Sequence, residues 1–438
     1  MKREKDMSSQ LNRREFLQAG GIALGGIALT GCRSAAPTPR RLSANEKLNL
    51  GIIGTAHRAA ENIRDVEQEN IVAICDIDDQ FLAAAKEKFP SAKTYNDFRK
   101  LLEQRDIDAV VVSTADHCHA VATAAALRLG KHVYCEKPLT HTVYEARTIA
   151  HLAAKNRKLA TQMGTQIHAT ENYRRVVELV KSGAIGKVSE CHVWCETSLA
   201  GSNRPAEMPP IPRHIHWDLW LGPAPARPYH PDYLPKTWRH WWDFGEGILG
   251  DMACHYVDLA FWALDLKHPR TVEAEGPPVH PETTPEWLIV RYEFPDRSAH
   301  APLKLTWYDG GKRPRLVEDK APNWRNGVLF VGDKGMLIAD YGKRQLLPES
   351  QFEGFQPPEP FIPKSIGHHK EWLLACKTGS PTTCNFAYAS ALTETVLLGN
   401  VAYRTGHKLE WDAARLKATN SSQASNYIHR EYRRGWKL

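Results

Sequence analysis

Lys131-His132-Val133-Tyr134-Cys135-Glu136-Lys137-Pro138 reads as a short buried strand that ends in an acid, a lysine and a proline. Val133 and Tyr134 are strand formers. Pro138 has no backbone N–H to give to a sheet, so the strand stops there. Lys137 is thereby held at the carboxyl end of a strand, where open α/β sheets bind their ligands.

Working outward, the flanking segments repeat one unit. Leu48 to Gly54 is an apolar strand running into a glycine turn, and Ile71 to Asp76 is a second strand ending in an acid. Asp108 to Ser113 is a third, and Leu159 to Met163 closes the series. Helical spacing fills the gaps at Phe81 to Phe89, Val121 to Leu129 and Val143 to Ala154. Continuously apolar strands alternating with helices predict a parallel sheet covered on both faces. Past residue 165 the pattern changes. After a helix at Tyr173 to Lys181, strand candidates at 188–196, 287–294, 303–307 and 328–331 are more mixed in polarity. That suits an antiparallel sheet with one face open. Helices return at 247–264, 367–377 and 386–403. The fold class is therefore α/β. An N-terminal Rossmann-like doubly wound parallel sheet spans 48–165, and an α+β domain with a large, mostly antiparallel open-faced sheet spans 166–410. Residues 411–438 form a C-terminal tail that either arms a neighbour or hangs loose.

A dinucleotide site needs a tight turn, close backbone approach to the pyrophosphate, and an acid about 20 residues on for the ribose. The loop here is Gly54-Thr55-Ala56-His57-Arg58-Ala59, and the acid is Asp76. Alanine stands where the second and third glycines would be, so the backbone must tolerate two extra methyl groups. Asp76 would repel a 2′-phosphate, which favours NAD over NADP; Arg58 blurs that preference.

The run from Gly245 to Asp258 opens an amphipathic helix on which Asp251 and His255 are four apart and share a face. An acid beside a histidine stabilises its protonated form and fixes its tautomer. Such a pair can take the proton of a hydroxyl as hydride leaves the same carbon. The alternative is a helix cap and a satisfied core histidine. Between 201 and 246 the chain is irregular and dense in Pro, Trp and His, too aromatic to be disordered. Trp238 and Trp241 are the candidates there to stack on a ligand ring, against a reading of all these tryptophans as core.

Composition bounds the rest. The chain has 438 residues, 24% of them charged, and a formal charge of +7. Residues 1–31 hold five Lys/Arg and three Asp/Glu, so the chain from Cys32 onward carries +5. No basic stripe points to nucleic acid. Arg13-Arg14 followed by a short apolar run to Gly31 resembles a twin-arginine (Tat) export signal, too short to span a membrane. Leu29-Thr30-Gly31-Cys32 resembles a lipobox, in which lipidated Cys32 would tether a periplasmic protein to the membrane. Residues 33–47 then form a flexible linker. Eight further cysteines are scattered without Cys-x-x-Cys or zinc spacing, which predicts buried free thiols and no metal.

The glycine loop at 51–59, Asp76, Ser113 to His119, Gly130 to Pro138 and the 245–258 run together resemble the Gfo/Idh/MocA oxidoreductases, over residues 48 to 410. The resemblance implies bound NAD and a sugar, polyol or related cyclic alcohol as substrate. It implies that Lys137 bridges the nicotinamide ribose and the substrate hydroxyl, with Asp251 and His255 as the other catalytic pair. Thr114, His119 and Glu136 would lie beside the cofactor and Gln166 would face the substrate. A dimer or tetramer is also expected from it. Two other functions stay open: a glycosidase acting by transient oxidation and elimination with bound NAD, and a non-catalytic sugar-binding lipoprotein.

Overall fold

The computed structural model describes residues 43, 45–199, 201, 203–295 and 302–438. The expected export signal, Cys32 and most of the expected linker lie outside them. Among the described residues no helix is long and apolar enough to cross a membrane.

Six apolar strands pair in parallel: β1 (Asn49–Ile53), β2 (Asn70–Cys75), β3 (Lys93–Tyr95), β4 (Ala109–Val112), β5 (His132–Cys135) and β6 (Thr161–Met163). Their order is β3-β2-β1-β4-β5-β6. All four residues of β4 and of β5 are buried, as a sheet flanked on both faces demands. The order reverses between β1 and β4, and ligands bind at such a switch point, outside the carboxyl ends of the strands. Gly54, Asp76, Ser113 and Glu136 each follow one of those ends.

The second sheet has nine strands: β7 (Val188–Trp194), β8 (Thr271–Glu275), β9 (Ile289–Phe294), β10 (Leu303–Tyr308), β11 (Gly327–Gly332), β12 (Gly335–Ala339), β13 (Arg344–Leu347), β14 (Leu409–Asp412) and β15 (Lys417–Ala418). They run in the order β13-β12-β11-β7-β10-β9-β8-β14-β15. Only the β7/β10 pair is parallel. Alternation shows which face is inside. Val290, Tyr292 and Phe294 of β9 and Leu303, Leu305 and Trp307 of β10 are buried, while Arg291 and Lys304 are exposed. The buried face joins one core with the helices Gly247–Ala263 and Phe386–Thr405. The latter helix also packs on helix Val143–Lys155 of the first domain. Arg147 of that helix pairs with the buried Glu394 at 2.8 Å, which fastens the two domains together.

Two expectations need correction. The aromatic stretch is mostly core: Trp217 and Trp220 stack at 4.6 Å, and Tyr233, Trp241 and Phe244 complete a cluster of their own. The tail is neither loose nor extended towards a neighbour. Arg430 pairs with the buried Glu145 at 2.9 Å, and Trp436 packs on Phe98 with ring centroids 5.8 Å apart. The eight cysteines among the described residues are buried free thiols.

Candidate functional site

A cavity of 970 Å³ runs along the carboxyl ends of the first sheet. One end is lined by Gly54, Ala56, His57, Arg58 and Asp76; Thr114 lies along it; Lys137, Trp238, Arg239 and Asp251 close the other. Sequence-distant segments thus meet around one space.

The loop end is shaped by close packing. Gly54 has φ +88, and a Cβ there would sit 2.4 Å from the carbonyl oxygen of Ser113, so no side chain fits. The second positive φ of the loop falls on His57 (φ 55). A non-glycine residue held there costs on the order of 1 kcal/mol or more; its ring packs edge-on against Phe81 at 5.4 Å. Ala56 lines the cavity, and Ala59 is buried in the first turn of the following helix. Asp76 is fixed by its neighbours: Thr55 donates to Oδ2 through N (2.8 Å) and Oγ1 (2.9 Å), and the Asp78 N–H donates to Oδ1 (3.0 Å). Burial pushes its carboxyl up, against the hydrogen bonds from Asp78 and Thr55. Arg58 lines the cavity but is held by two carboxylates: its Nε donates to Glu136 at 3.0 Å, and its Nη1 pairs with Glu61.

At the other end Lys137 Nζ donates to both the carboxylate Oδ1 and the backbone oxygen of Asp251, each at 2.6 Å. An ammonium has three donors, so one remains for a ligand. Burial alone would lower Lys137, but the Asp251 carboxylate outweighs it and keeps the amine protonated. Burial likewise opposes the Asp251 charge, and Lys137 and Arg239 more than offset it. Arg239 donates from Nε to Asp251 Oδ1 at 3.2 Å and lies over the Trp238 ring at 4.3 Å.

Five expected residues sit off the cavity wall. His255 is buried behind it, with Nδ1 unpartnered. Burial and then the nearby Lys137 charge hold its imidazole neutral, well below the usual histidine range. No hydrogen bond joins it to Asp251; that carboxylate serves Lys137 and Arg239 instead. Glu136 lies under the loop and accepts from Arg58 and Asn62. His119 touches two backbone oxygens, with Nδ1 2.7 Å from that of Pro138 and Nε2 3.1 Å from that of Thr114, so it ties the two strand ends together. Gln166 starts a 3₁₀ turn with its Oε1 buried and unpartnered. Trp241 is 1% exposed in the aromatic cluster, which removes it from contact with a ligand in this cavity. Arg239 and Trp436 are among the lining residues that the sequence reading did not single out. Arg239 sits in a run of tryptophans three residues after Lys236, with no motif to separate the two cations. Trp436 lies in a tail that no motif marks.

The cradle suits a dinucleotide: a glycine turn no Cβ can enter, an anchored acid for a ribose, and an ammonium at the far end. Residues 48–164 match the family model for the oxidoreductase family with an NAD-binding Rossmann fold, and residues 174–301 match that family's C-terminal alpha/beta domain. The inositol 2-dehydrogenase of Salmonella typhimurium strain LT2 is 32% identical over 148 residues, 33% of this chain and 43% of that protein. The myo-inositol 2-dehydrogenase of Thermotoga maritima is 31% identical over 140 residues, 32% of this chain and 41% of that one. The chain thus spans less than half the length of these relatives. In solved structures, the WlbA dehydrogenase of Bordetella pertussis, in complex with NADH and UDP-GlcNAcA, superposes with a TM-score of 0.60 at 16% identity, covering 84% of this chain and 99% of that one. An aldose-aldose oxidoreductase of Caulobacter crescentus complexed with glycerol gives 0.58 at 16%, covering 84% and 100%. At that identity the likeness speaks for the fold.

Proposed function

Because the chain belongs to the Gfo/Idh/MocA oxidoreductase family, with its NAD-binding Rossmann fold, we propose that it oxidises or reduces a hydroxyl-bearing carbon of a sugar or polyol with NAD. The observation that carries this reading is the Lys137–Asp251 pair at 2.6 Å, in the same cavity as the ribose acid Asp76. The inositol dehydrogenases among its relatives support the substrate class. When bound, the nicotinamide ring accepts or returns a hydride. The residues supply the proton chemistry. The spare N–H of Lys137 holds the substrate oxygen and stabilises charge as it builds there. Asp251 and Arg239 fix the amine in place. His255, neutral behind the pair and off the cavity wall, reaches the hydroxyl through one bridging water, taking its proton during oxidation and returning it during reduction.

The test is incubation of the purified protein with a panel of sugars, inositols and aryl glycosides, following reduced cofactor and released aglycone together. Cofactor reduction without aglycone release is the expected outcome. Aglycone release would redirect the assignment to a glycosidase, and neither signal to a binding protein.

Asp76 gives a separate prediction. Its carboxylate makes charge-assisted hydrogen bonds to ribose hydroxyls, worth about 1.5–3 kcal/mol. Asp76→Ala therefore weakens NAD binding by about 10- to 100-fold and narrows the preference over NADP. A fluorescence titration with both nucleotides measures this; an unchanged NAD affinity would remove Asp76 from the site.

A further inference from the structure

The Lys137 end of the cavity holds more positive charge than the chain itself balances. Lys137, Lys236 and Arg239 line it, and Asp251 is the one acid among them. The other acids of the lining, Glu61, Asp76, Asp78 and Asp97, belong to the glycine-loop end. Lys236 is exposed to solvent, so the pairing that matters is among Lys137, Arg239 and Asp251. Both cations donate to one oxygen, Asp251 Oδ1, at 2.6 Å and 3.2 Å. One carboxylate cannot neutralise two adjacent cations, so a single negative charge is missing. Asp116, buried and off the wall, also acts on Arg239, but burial pushes its carboxyl up and its hydrogen bond goes to Glu246.

Arg239 is both accessible and held in place. Its side chain is 27% exposed. The guanidinium lies over the Trp238 ring at 4.3 Å, and the Trp238 indole N–H is fixed in turn by the Pro235 oxygen at 3.0 Å. Nε is taken by Asp251, and Nη1 reaches the Lys236 backbone oxygen at 3.3 Å. Nη2 has no hydrogen-bond partner among the described residues. The backbone below is seated closely: a Cβ at Gly245 would lie 2.6 Å from Arg239 Cα, so glycine lets this segment rest against the chain leading into the Asp251 helix. A planar donor edge, stacked on a ring and braced by one carboxylate, is preorganised to meet another.

We infer that Arg239 makes this a site for sugars that bear a carboxylate. The inference rests on the oxidoreductase reading for the reaction and extends it to the charge of the substrate. Lys137 holds the reacting hydroxyl. Arg239, bonded to the same Asp251 oxygen, holds a carboxylate elsewhere on the same molecule. A carboxylate brings the one missing charge and two oxygens that match the guanidinium fork. A phosphomonoester brings about two charges, and a neutral sugar leaves the surplus cation unanswered.

Matched pairs test it, each an acid and its counterpart with CH2OH in place of the carboxylate: D-glucuronate and D-glucose, D-galacturonate and D-galactose, D-gluconate and D-glucitol. Glucose 6-phosphate is the phosphate arm. Each is titrated calorimetrically into the NAD-loaded full chain and then followed for cofactor reduction. At least one acid binds about 10- to 100-fold more tightly than its counterpart, the scale of a charge-assisted hydrogen bond. Arg239→Met slows hydride transfer from either member, because Arg239 helps to fix Lys137; the readout is the acid-to-neutral ratio of affinities, which falls to near one. If Arg239→Met melts early, Arg239→Gln carries the same expectation. Equal affinity within all three pairs, tightest binding of the phosphate, a ratio that survives loss of the guanidinium, or NAD affinity falling as far as that of the acid would each overturn the proposal. Cofactor reduction by the neutral members alone would also overturn it and leave the oxidoreductase reading standing. Arg239-dependent binding of an acid with no cofactor reduction by any compound would uphold it and count against that reading.

Discussion

Lys137→Ala lowers turnover by about 10³-fold, the usual scale for losing a group that holds the reacting oxygen. Bound NAD and the melting midpoint change little. The second half of this expectation follows from Arg239. Removing one partner of a buried ion pair normally costs several kcal/mol, because the other charge is stranded. Here Asp251 keeps Arg239 at 3.2 Å when the ammonium is gone. The carboxylate stays paired, so the loss falls on chemistry and not on folding. Single-turnover rates, a thermal melt and mass spectrometry of released cofactor measure the three quantities. Turnover equal to that of the parent protein would show that Lys137 only braces Asp251. A collapse in stability together with the rate would show that Arg239 does not compensate.

That compensation was not legible in the sequence, and the reason is physical. Lys137 and Asp251 each sat in a recognisable pattern: a strand stopped by Pro138, and a helix with an acid and a histidine one turn apart. Patterns of period two and 3.6 report which face of an element a residue occupies. They do not report which side chain from another element arrives to meet it. The Asp251–His255 pair illustrates the limit. Sharing a helix face made contact possible, but Lys137 and Arg239 are stronger partners for a carboxylate, and they took it. The first sheet was readable almost strand by strand because its buried strands are apolar without interruption. The three-residue β3, the half-exposed β8 and the outer strands β12 to β15 were not, since short or partly exposed strands carry little hydrophobic signal. The aromatic stretch misled for a related reason. Tryptophans that stack on a ligand and tryptophans that stack on each other look alike in sequence. Of the two candidates, Trp238 reaches the cavity and Trp241 does not.

Deleting residues 430–438 costs more stability than any exposed tail should. Glu145 is 1% exposed and caps helix Val143–Lys155 with one oxygen, accepting from the backbone N–H groups of His141 and Thr142. Its other oxygen accepts from Arg430 Nε at 2.9 Å and Tyr432 Oη at 2.6 Å, both supplied by the tail. Truncation strands half of a buried carboxylate, worth about 3 kcal/mol or more. It also exposes Phe98, which Trp436 covers, with the Arg99 guanidinium 4.3 Å from the Trp436 ring; losing a buried aromatic side chain costs about 3 kcal/mol again. At roughly 2 °C per kcal/mol for a chain of this size, the midpoint falls by about 10 °C. Function should follow for a separate reason, because Trp436 forms part of the cofactor cavity near Asp97 and Phe98. Trp436→Ala alone should then weaken NAD binding by about 10-fold while leaving the Arg430–Glu145 bond in place. Melting curves of the truncated protein and NAD titrations of the point variant separate the two effects. A truncated protein that melts with the full chain would mean that water replaces Arg430 at Glu145 without penalty. A point variant with parental affinity would mean that Trp436 packs on Phe98 and never meets the nucleotide.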